Sequence, residues 1–147
     1  MEYEHTQYGY TGILTSVLMI GITWFSLPET FSDSTWGGVF LVVFIIGIVA
    51  VTFWFSRLAV TVADGELTAT FGLGKPHRVV ALSEVVGARQ VRNSWIQGWG
   101  VRSVSNGWMY NVWGLDAVEV ELDSGTVFRV GTDDSDQLHA AISLSTS

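Results

Sequence analysis

Two long apolar segments without a charged side chain dominate the first part of the chain. The first, residues 8–27, reads YGYTGILTSVLMIGITWFSL, and the second, residues 36–56, reads WGGVFLVVFIIGIVAVTFWFS. A helix needs about 20 predominantly apolar residues to cross a hydrocarbon core roughly 30 Å thick. We therefore predict two transmembrane helices, which the polar connection 28–35 joins into an antiparallel hairpin.

From residue 58 onward apolar and polar positions alternate, which is typical of half-buried strands. Asp64 and Gly65 are residues of a tight two-residue turn and predict a hairpin around them. In the segment 117–122, Glu119 and Glu121 are expected to face water. The predicted strands include 58–62, 67–71, 77–82, 85–92, 117–122 and 126–131.

The last segment of the chain predicts a helix. Thr132 can cap it, and Asp133, Asp134 and Asp136 fall in its first turn, where the helix dipole favours negative charge. Leu138, Ala141, Ile142 and Ser145 form its apolar stripe.

The sequence therefore predicts an α+β membrane protein of two parts. Residues 1–57 form an N-terminal tail and the helical hairpin, and residues 58–147 form an antiparallel sheet or barrel of about seven strands that the C-terminal helix covers. All seven basic residues lie at or after Arg57. By the positive-inside rule, both termini and the domain are expected to face the cytoplasm. A cleaved signal peptide is the competing interpretation of the first segment, but the leader is acidic rather than basic.

Charge and cysteine content narrow the classes of partner. The formal net charge is −7, with six Arg and one Lys, so the chain lacks the basic patch that nucleic acid requires. The absence of cysteine agrees with a reducing compartment and excludes a thiol nucleophile. An acidic, lysine-poor, cysteine-free chain also fits the salt-rich cytoplasm of a halophilic prokaryote.

Several longer sequence segments resemble those of small prokaryotic membrane proteins that carry two transmembrane helices and a PH-like domain. The likeness covers residue 58 to about residue 144, and GWMYNVWG is its most specific part. The resemblance implies membrane attachment and a PH-like fold, without a reaction or an established ligand, and Trp113 departs from the small or polar residue expected there. The segments that carry the resemblance are FGLGKPHRVVALSEV at 71–85, WIQGWGVR at 95–102, GWMYNVWGLDAVEVEL at 107–122 and FRVGTDD at 128–134.

Four of the seven tryptophans lie within residues 94–114. Because a small domain buries little surface and one aromatic ring contributes much of it, we expect Trp99 and Trp108 in the core, with Tyr110 at least partly buried beside them. Trp95 and Trp113 are the candidates for loops that lie against the bilayer.

Three arginines, Arg89, Arg92 and Arg102, flank the tryptophan-rich segment. They are candidate ligands for lipid phosphates or for a protein partner. The alternative is that they form ion pairs within the domain, since the acidic residues outnumber them. The candidate acidic partners are Glu84, Asp116, Glu119 and Glu121.

The apolar segments contain two pairs of small residues that favour close helix packing. Gly12 and Ser16 form one pair, and Gly47 and Ala50 form the other. Neither segment contains Asp, Glu, Lys, Arg or His, which argues against an ion or proton path.

No recognised catalytic or metal-binding pattern is present in the sequence. The three histidines, His5, His77 and His139, are scattered without a second ligand at metal-binding spacing, so no metal and no cofactor is predicted. An enzyme that acts on lipid is the least favoured class. The leading hypothesis is a membrane-anchored binding or scaffolding module that engages a protein partner or a lipid headgroup. The alternative is a structural subunit whose helices drive homo-oligomerisation or entry into a larger membrane complex.

Overall fold

A computed structural model describes residues 2–30 and 35–146. Three helices and nine strands form within these residues. The helices are α1 Tyr10–Thr30, α2 Thr35–Trp54 and α3 Ser135–Thr146. The strands are β1 Tyr3–Tyr8, β2 Arg57–Ala63, β3 Glu66–Phe71, β4 His77–Ala81, β5 Val85–Arg92, β6 Gly100–Val104, β7 Gly107–Asn111, β8 Asp116–Leu122 and β9 Val127–Gly131.

Both long apolar segments form helices, but they differ in how well they qualify as membrane spans. Within the described residues, Trp36–Trp54 alone is long and apolar enough to cross a bilayer, with a mean hydropathy of 2.5 and 6% of its span buried. The apolar part of α1 is the shorter stretch Gly12–Phe25. Much of the predicted connection, residues 31–34, falls outside the described part of the chain. A transmembrane hairpin of two helices therefore stays a prediction.

The strands form two sheets rather than one. The first sheet has the order β1-β2-β3-β4, and the second has the order β5-β8-β9-β7-β6. Neighbouring strands are antiparallel except β7 and β9, which run parallel. The predicted α+β class and C-terminal helix are confirmed, but the described residues of the predicted domain form eight strands where about seven were expected, and β1 adds a ninth from the N-terminal tail.

The strand that the sequence did not indicate comes from the N-terminal tail. Residues 3–8 pair antiparallel with β2 along its whole length. Tyr3 and Gln7 point into the protein, with exposed fractions of 8% and 4%. The inward positions of this strand carry Tyr, His and Gln, so its alternation does not stand out as a hydrophobic pattern.

The core combines side chains from both sheets and from α3. Asp64 and Gly65 have φ of 53° and 77°, as the predicted two-residue turn between β2 and β3 requires. Leu138, Ala141 and Ile142 of α3 are buried as the stripe predicted, whereas Ser145, its fourth member, is exposed. Rings cross the core in a series, Phe55–Phe71–Tyr110–Phe128, with centroid separations of 5.2, 5.2 and 5.3 Å.

The ends of α1 and α2 nearest to the sheets are tied to the domain. The backbone N–H of Gly9 donates to the carbonyl oxygen of Ser56 at 2.6 Å, and the indole N–H of Trp54 donates to the carbonyl oxygen of Lys75. Gly72, at φ +48°, packs on the carbonyl group of Trp54 with no room for a Cβ. The helices therefore leave the domain at one defined end. We call this the proximal end and define it by the connections 54–57, 72–77, 93–99 and 112–115.

Candidate functional site

A groove of about 520 Å³ lies at the proximal end, where the two helices meet β6. Gly12 and Thr15 of α1, Thr52 of α2, and Val101 and Arg102 of β6 contribute to its lining. Ligand pockets in proteins typically enclose roughly 300–1,000 Å³. The groove is therefore large enough for a ligand, and most of the side chains that form it are apolar or small.

Arg102 is the charged side chain of this groove. Its side chain is exposed, and its Nε–H donates to the carbonyl oxygen of Trp99 at 3.1 Å. Within the described part of the chain, Arg102 forms no ion pair with a carboxylate. Since a guanidinium carries five N–H donors, most of its hydrogen-bonding capacity is left for a ligand.

Next to the groove, three aromatic rings form a cluster at the start of α1. Trp113 stacks on Trp99 with a centroid separation of 6.4 Å, and it meets Tyr10 edge to face at 6.2 Å. Trp99 and Trp113 are 40% and 37% exposed, so each ring is partly covered and partly open. The cluster joins the first helix to the two loops that carry the tryptophans.

Two buried amides hold the turn that presents Trp113. Gln7 Nε2 donates to the carbonyl oxygen of Trp113 at 3.1 Å, and Asn111 Nδ2 donates to the carbonyl oxygen of Gly114 at 3.2 Å. Gly114 has a φ of +74°, a conformation that favours glycine. The N-terminal strand therefore positions a ring that lies more than a hundred residues later in the chain.

The expectation that Trp99 and Trp108 lie in the core is wrong. Trp108 is 51% exposed and Trp99 is 40% exposed, whereas Tyr110 is buried as expected. Trp99 lies in the loop that leads into the edge strand β6, where a side chain has fewer neighbours than on a central strand. Trp108 is the second residue of β7, directly after the turn that joins β6 and β7, so it lies near the end of its strand.

Trp95 lies in a short 3₁₀ turn, Trp95–Gln97, at the proximal end. Trp95 and Ile96 are 74% and 76% exposed. A capping box closes this turn, in which the backbone N–H of Ser94 donates to Gln97 Oε1 at 2.9 Å. Ile96 was missed by sequence reasoning, because a single isoleucine beside a tryptophan carries no pattern that distinguishes it from a core residue.

Arg89 is engaged inside the domain, as the ion-pair alternative predicted. Arg89 and Arg129 both bind Glu119, with a guanidinium nitrogen 2.5 Å from a carboxylate oxygen in each pair. The prediction that Glu119 faces water is wrong, since this residue is 4% exposed, while Glu121 is exposed as predicted.

The reason for this ion-pair network is the strand register. Glu119 of β8 lies directly opposite Arg89 of β5 on one side and Arg129 of β9 on the other. Arg129 also donates to Asn93 Oδ1 at 2.9 Å. Burial by itself raises the pKa of Glu119, but the hydrogen bonds and charges of Arg89 and Arg129 outweigh it and hold this pKa below its usual range.

Arg92 differs from Arg89 in that it is exposed and forms no ion pair with any described residue. It lies opposite Asp116 in the strand register, and its side chain does not line the groove. Of the three arginines that flank the tryptophan-rich segment, Arg102 is the one that the fold places at the groove.

The small residues of the helices separate into two groups. A Cβ on Gly12 would lie 2.5 Å from Cγ2 of Thr52, so Gly12 is in the contact between α1 and α2, and Ser16 beside it is 7% exposed. Gly47 and Ala50 are exposed, and a Cβ on Gly47 would meet nothing within 4 Å. The two pairs therefore do not meet each other across the hairpin.

The two ends of the domain differ in charge. The four proximal connections contain Arg57 and Lys75, but Asp116 directly follows one of them, and the hydrogen bond from the backbone N–H of Thr132 to the carbonyl oxygen of Asp116 places the acidic β9–α3 connection at the same end. The turns at the opposite, distal end contain Asp64, Glu84 and Asp123 and no basic residue.

The acidic residues between β9 and α3 are engaged by the N-terminal strand. His5 Nε2 lies 2.6 Å from Asp133 Oδ1, and Tyr3 donates its hydroxyl proton to Asp134 at 3.4 Å. Burial, followed by the charge of Asp134, raises the pKa of Tyr3 to about 12. These contacts fix β1 to the connection between β9 and α3.

Across the described residues, no group of three or more His, Asp or Glu side chains lies close enough to hold a metal ion. No protein-family model matches the chain, and a search of curated proteins found no match. The resemblance to PH-like membrane proteins accordingly stays a prediction from the sequence segments alone.

Proposed function

We propose that this protein is a membrane-anchored binding module whose proximal end lies against the lipid headgroups at the cytoplasmic face. One observation carries the proposal: the helices leave the domain at the same end that displays exposed apolar rings and basic side chains. Trp95 and Ile96 are both more than 70% exposed there. Aromatic and aliphatic tips of this kind partition into the interfacial region of a bilayer.

The charge of the distal end supports the same orientation. The distal turns contain Asp64, Glu84 and Asp123 and no basic residue, whereas the proximal end carries Arg57 and Lys75 beside acidic residues. The cytoplasmic leaflet of a cell membrane is negative and attracts basic residues at its surface. The acidic distal end is therefore stabilised away from this leaflet.

The two sheets with a C-terminal helix are also compatible with the PH-like module that the sequence segments suggest. We retain that assignment as part of the proposal. In this arrangement the second sheet leaves β6 as an open edge beside the membrane. A protein partner that adds a strand would meet the module at that edge.

Site-specific fluorescence quenching tests the orientation. The chain lacks cysteine, so Ile96→Cys and Ser124→Cys each accept one bimane label, at the proximal turn and at the distal turn. In vesicles that contain nitroxide-headgroup lipids, we expect strong quenching at residue 96 and little at residue 124. Equal quenching at the two positions would contradict the proposal.

A second candidate is an assembly subunit, and the position of Gly47 and Ala50 favours it. Both residues are exposed on α2, and a Cβ on Gly47 would meet nothing within 4 Å. Small residues on a lipid-facing helix let another helix approach closely. Crosslinking in native membranes tests this role, and Gly47→Leu should reduce the amount of crosslinked dimer. If wild type and variant both run only as monomer, the role as an assembly subunit is excluded.

A further inference from the structure

We propose that the groove between the helices and β6 binds one anionic phospholipid, with its phosphate on Arg102 and an acyl chain along the helices. The inference rests on the proposed membrane orientation and adds a specific ligand to it. The groove has a cavity volume of about 520 Å³ and contains side chains suited to both parts of such a molecule.

The lower part of the groove is suited to a hydrocarbon chain. Thr15 lies five residues inside α1, about 7.5 Å along the axis at 1.5 Å per residue. Val51 lies three residues before the end of α2. Thr15 donates its hydroxyl proton to the carbonyl oxygen of Gly12 at 3.0 Å, so this polar group is satisfied within its own helix. The hydroxyl group of Thr15 therefore does not require a polar ligand group.

The upper part of the groove is suited to a phosphate. Arg102 has no carboxylate partner among the described residues, and its Nε–H is directed to the carbonyl oxygen of Trp99. That hydrogen bond fixes one edge of the guanidinium and leaves its Nη groups available. Guanidinium groups bind phosphate through paired charge-assisted hydrogen bonds, which are stronger than neutral ones.

Charge and depth together favour a phospholipid over a peptide. A peptide that entered the groove as far as Thr15 would place backbone N–H and C=O groups near the hydrocarbon region without water to bind them, which costs several kcal/mol per group. An acyl chain has no such groups. A lipid with a net negative charge is favoured over a zwitterionic one, since Arg102 lines the groove and no carboxylate is among the described residues that line it.

Native mass spectrometry of the full chain in mild detergent tests the proposal. The probes are phosphatidylglycerol, phosphatidylcholine and water-soluble glycerol phosphate. We expect the wild type to retain one phosphatidylglycerol in preference to phosphatidylcholine. Arg102→Gln should weaken phosphatidylglycerol binding about tenfold, as the loss of a charge-assisted hydrogen bond predicts.

Two further variants separate the groove from general surface charge. Arg92→Gln removes an exposed arginine of the same domain that does not line the groove, and it should leave phosphatidylglycerol binding within about twofold of the wild type. Thr15→Phe places a ring in the lower groove and should reduce retention of the lipid without a change at Arg102. Near-ultraviolet circular dichroism checks that each variant keeps its tertiary packing.

The outcomes distinguish this proposal from the proposed function. Equal lipid binding by the wild type and Arg102→Gln would overturn the site, and so would equal affinity for the two lipids. If glycerol phosphate competed with an affinity equal to that of phosphatidylglycerol, the proposed binding of an acyl chain in the groove would be overturned. The bimane quenching at residue 96 does not depend on Arg102, so a module that is correctly oriented but lacks the site would still show it.

Discussion

At the scale of single residues, Glu119 is the group whose environment departs furthest from its sequence context. It alternates with Val118 and Val120 as a solvent-facing residue would, yet it is 4% exposed and bound by two arginines. A carboxylate without water must be paired, and the opposing positions on β5 and β9 supply both pairs. The same register explains why Arg89 is not free for a ligand.

We predict that Glu119→Gln destabilises the domain by about 3 kcal/mol, because the variant leaves the buried side of Arg129 without its counter-charge. The wild type should also lose stability in acid. The pKa of Glu119 is lowered in the folded state. Its contribution is therefore present above the ordinary carboxyl pKa of about 4.3 and is lost as the pH falls through the lower folded-state value.

Urea unfolding of the full chain in detergent, repeated at several pH values, measures both effects. Glu121→Gln is the matched control, since Glu121 is exposed on the same strand, and it should change the free energy of unfolding by less than about 0.5 kcal/mol. The acid loss should be smaller in Glu119→Gln than in the wild type. Identical acid dependence in the two proteins would show that the ion-pair network does not stabilise the fold.

At the scale of elements, the parallel contact between β7 and β9 decides how the tryptophan-rich segment joins the second sheet. Gly107 is paired with Val127 in this contact. A Cβ on Gly107 would overlap the carbonyl group of Val127, so the two strands approach closely only because this residue is glycine. The contact places β6, and with it Arg102, at the sheet edge beside the helices.

Gly107→Ala should therefore cost about 2 to 3 kcal/mol in unfolding free energy, as overpacking in a dense site does. Gly87→Ala is the matched control, since a Cβ at Gly87 would meet nothing within 4 Å. Thermal unfolding followed by circular dichroism compares the two variants. Equal melting temperatures for both variants would mean that the β7–β9 contact accommodates the methyl group without a loss of stability.

The N-terminal strand is the element that links the two parts predicted from the sequence. It forms one edge of the first sheet, and through Gln7 it holds the loop that carries Trp113. His5 and Tyr3 contact the start of α3. The tail before the first helix therefore belongs structurally with the domain after the second helix, which is possible only when both lie on the same side of the helical pair.

At the scale of the whole molecule, the N-terminal strand and the domain after the second helix lie on the same side of the two helices, which leads to a topology prediction. If α1 and α2 cross the membrane in the proposed orientation, the domain is cytoplasmic and the connection between the helices is outside. A membrane-impermeant maleimide should then label Ser32→Cys, in that connection, in intact cells. The distal Ser124→Cys should be labelled only after permeabilisation. Labelling of Ser124→Cys in intact cells would reverse the proposed orientation.

Much of the domain follows from local pattern, because alternation, turn residues and caps act over a few neighbouring positions. The strand Val85–Arg92 has its predicted ends, and the turns at Gly65 and Gly125 take the positive φ that their residues favour. The helical segments follow from apolar length in the same way. These features depend on the residues themselves and on their immediate neighbours.

The candidate site does not follow from local pattern, because it consists of residues from distant parts of the chain. The sequence named Arg89, Arg92 and Arg102 as equivalents, and only the strand order separates the paired Arg89 from the exposed Arg92 and the groove residue Arg102. Likewise, the exposure of Trp99 and the burial of Glu119 depend on which strand is central and which is at the edge.

The amino-acid sequence by itself therefore determined the elements of this protein: two apolar helices, most of the strands and their turns, and the C-terminal helix. Tertiary structure decided the pairing of the N-terminal tail with β2, the register that buries Glu119, and the meeting of Thr15 and Thr52 with Arg102 in one groove. The physical reason is one of range. Backbone conformation and amphipathic period are local properties, whereas charge pairing and cavity shape depend on contacts between segments far apart in the chain.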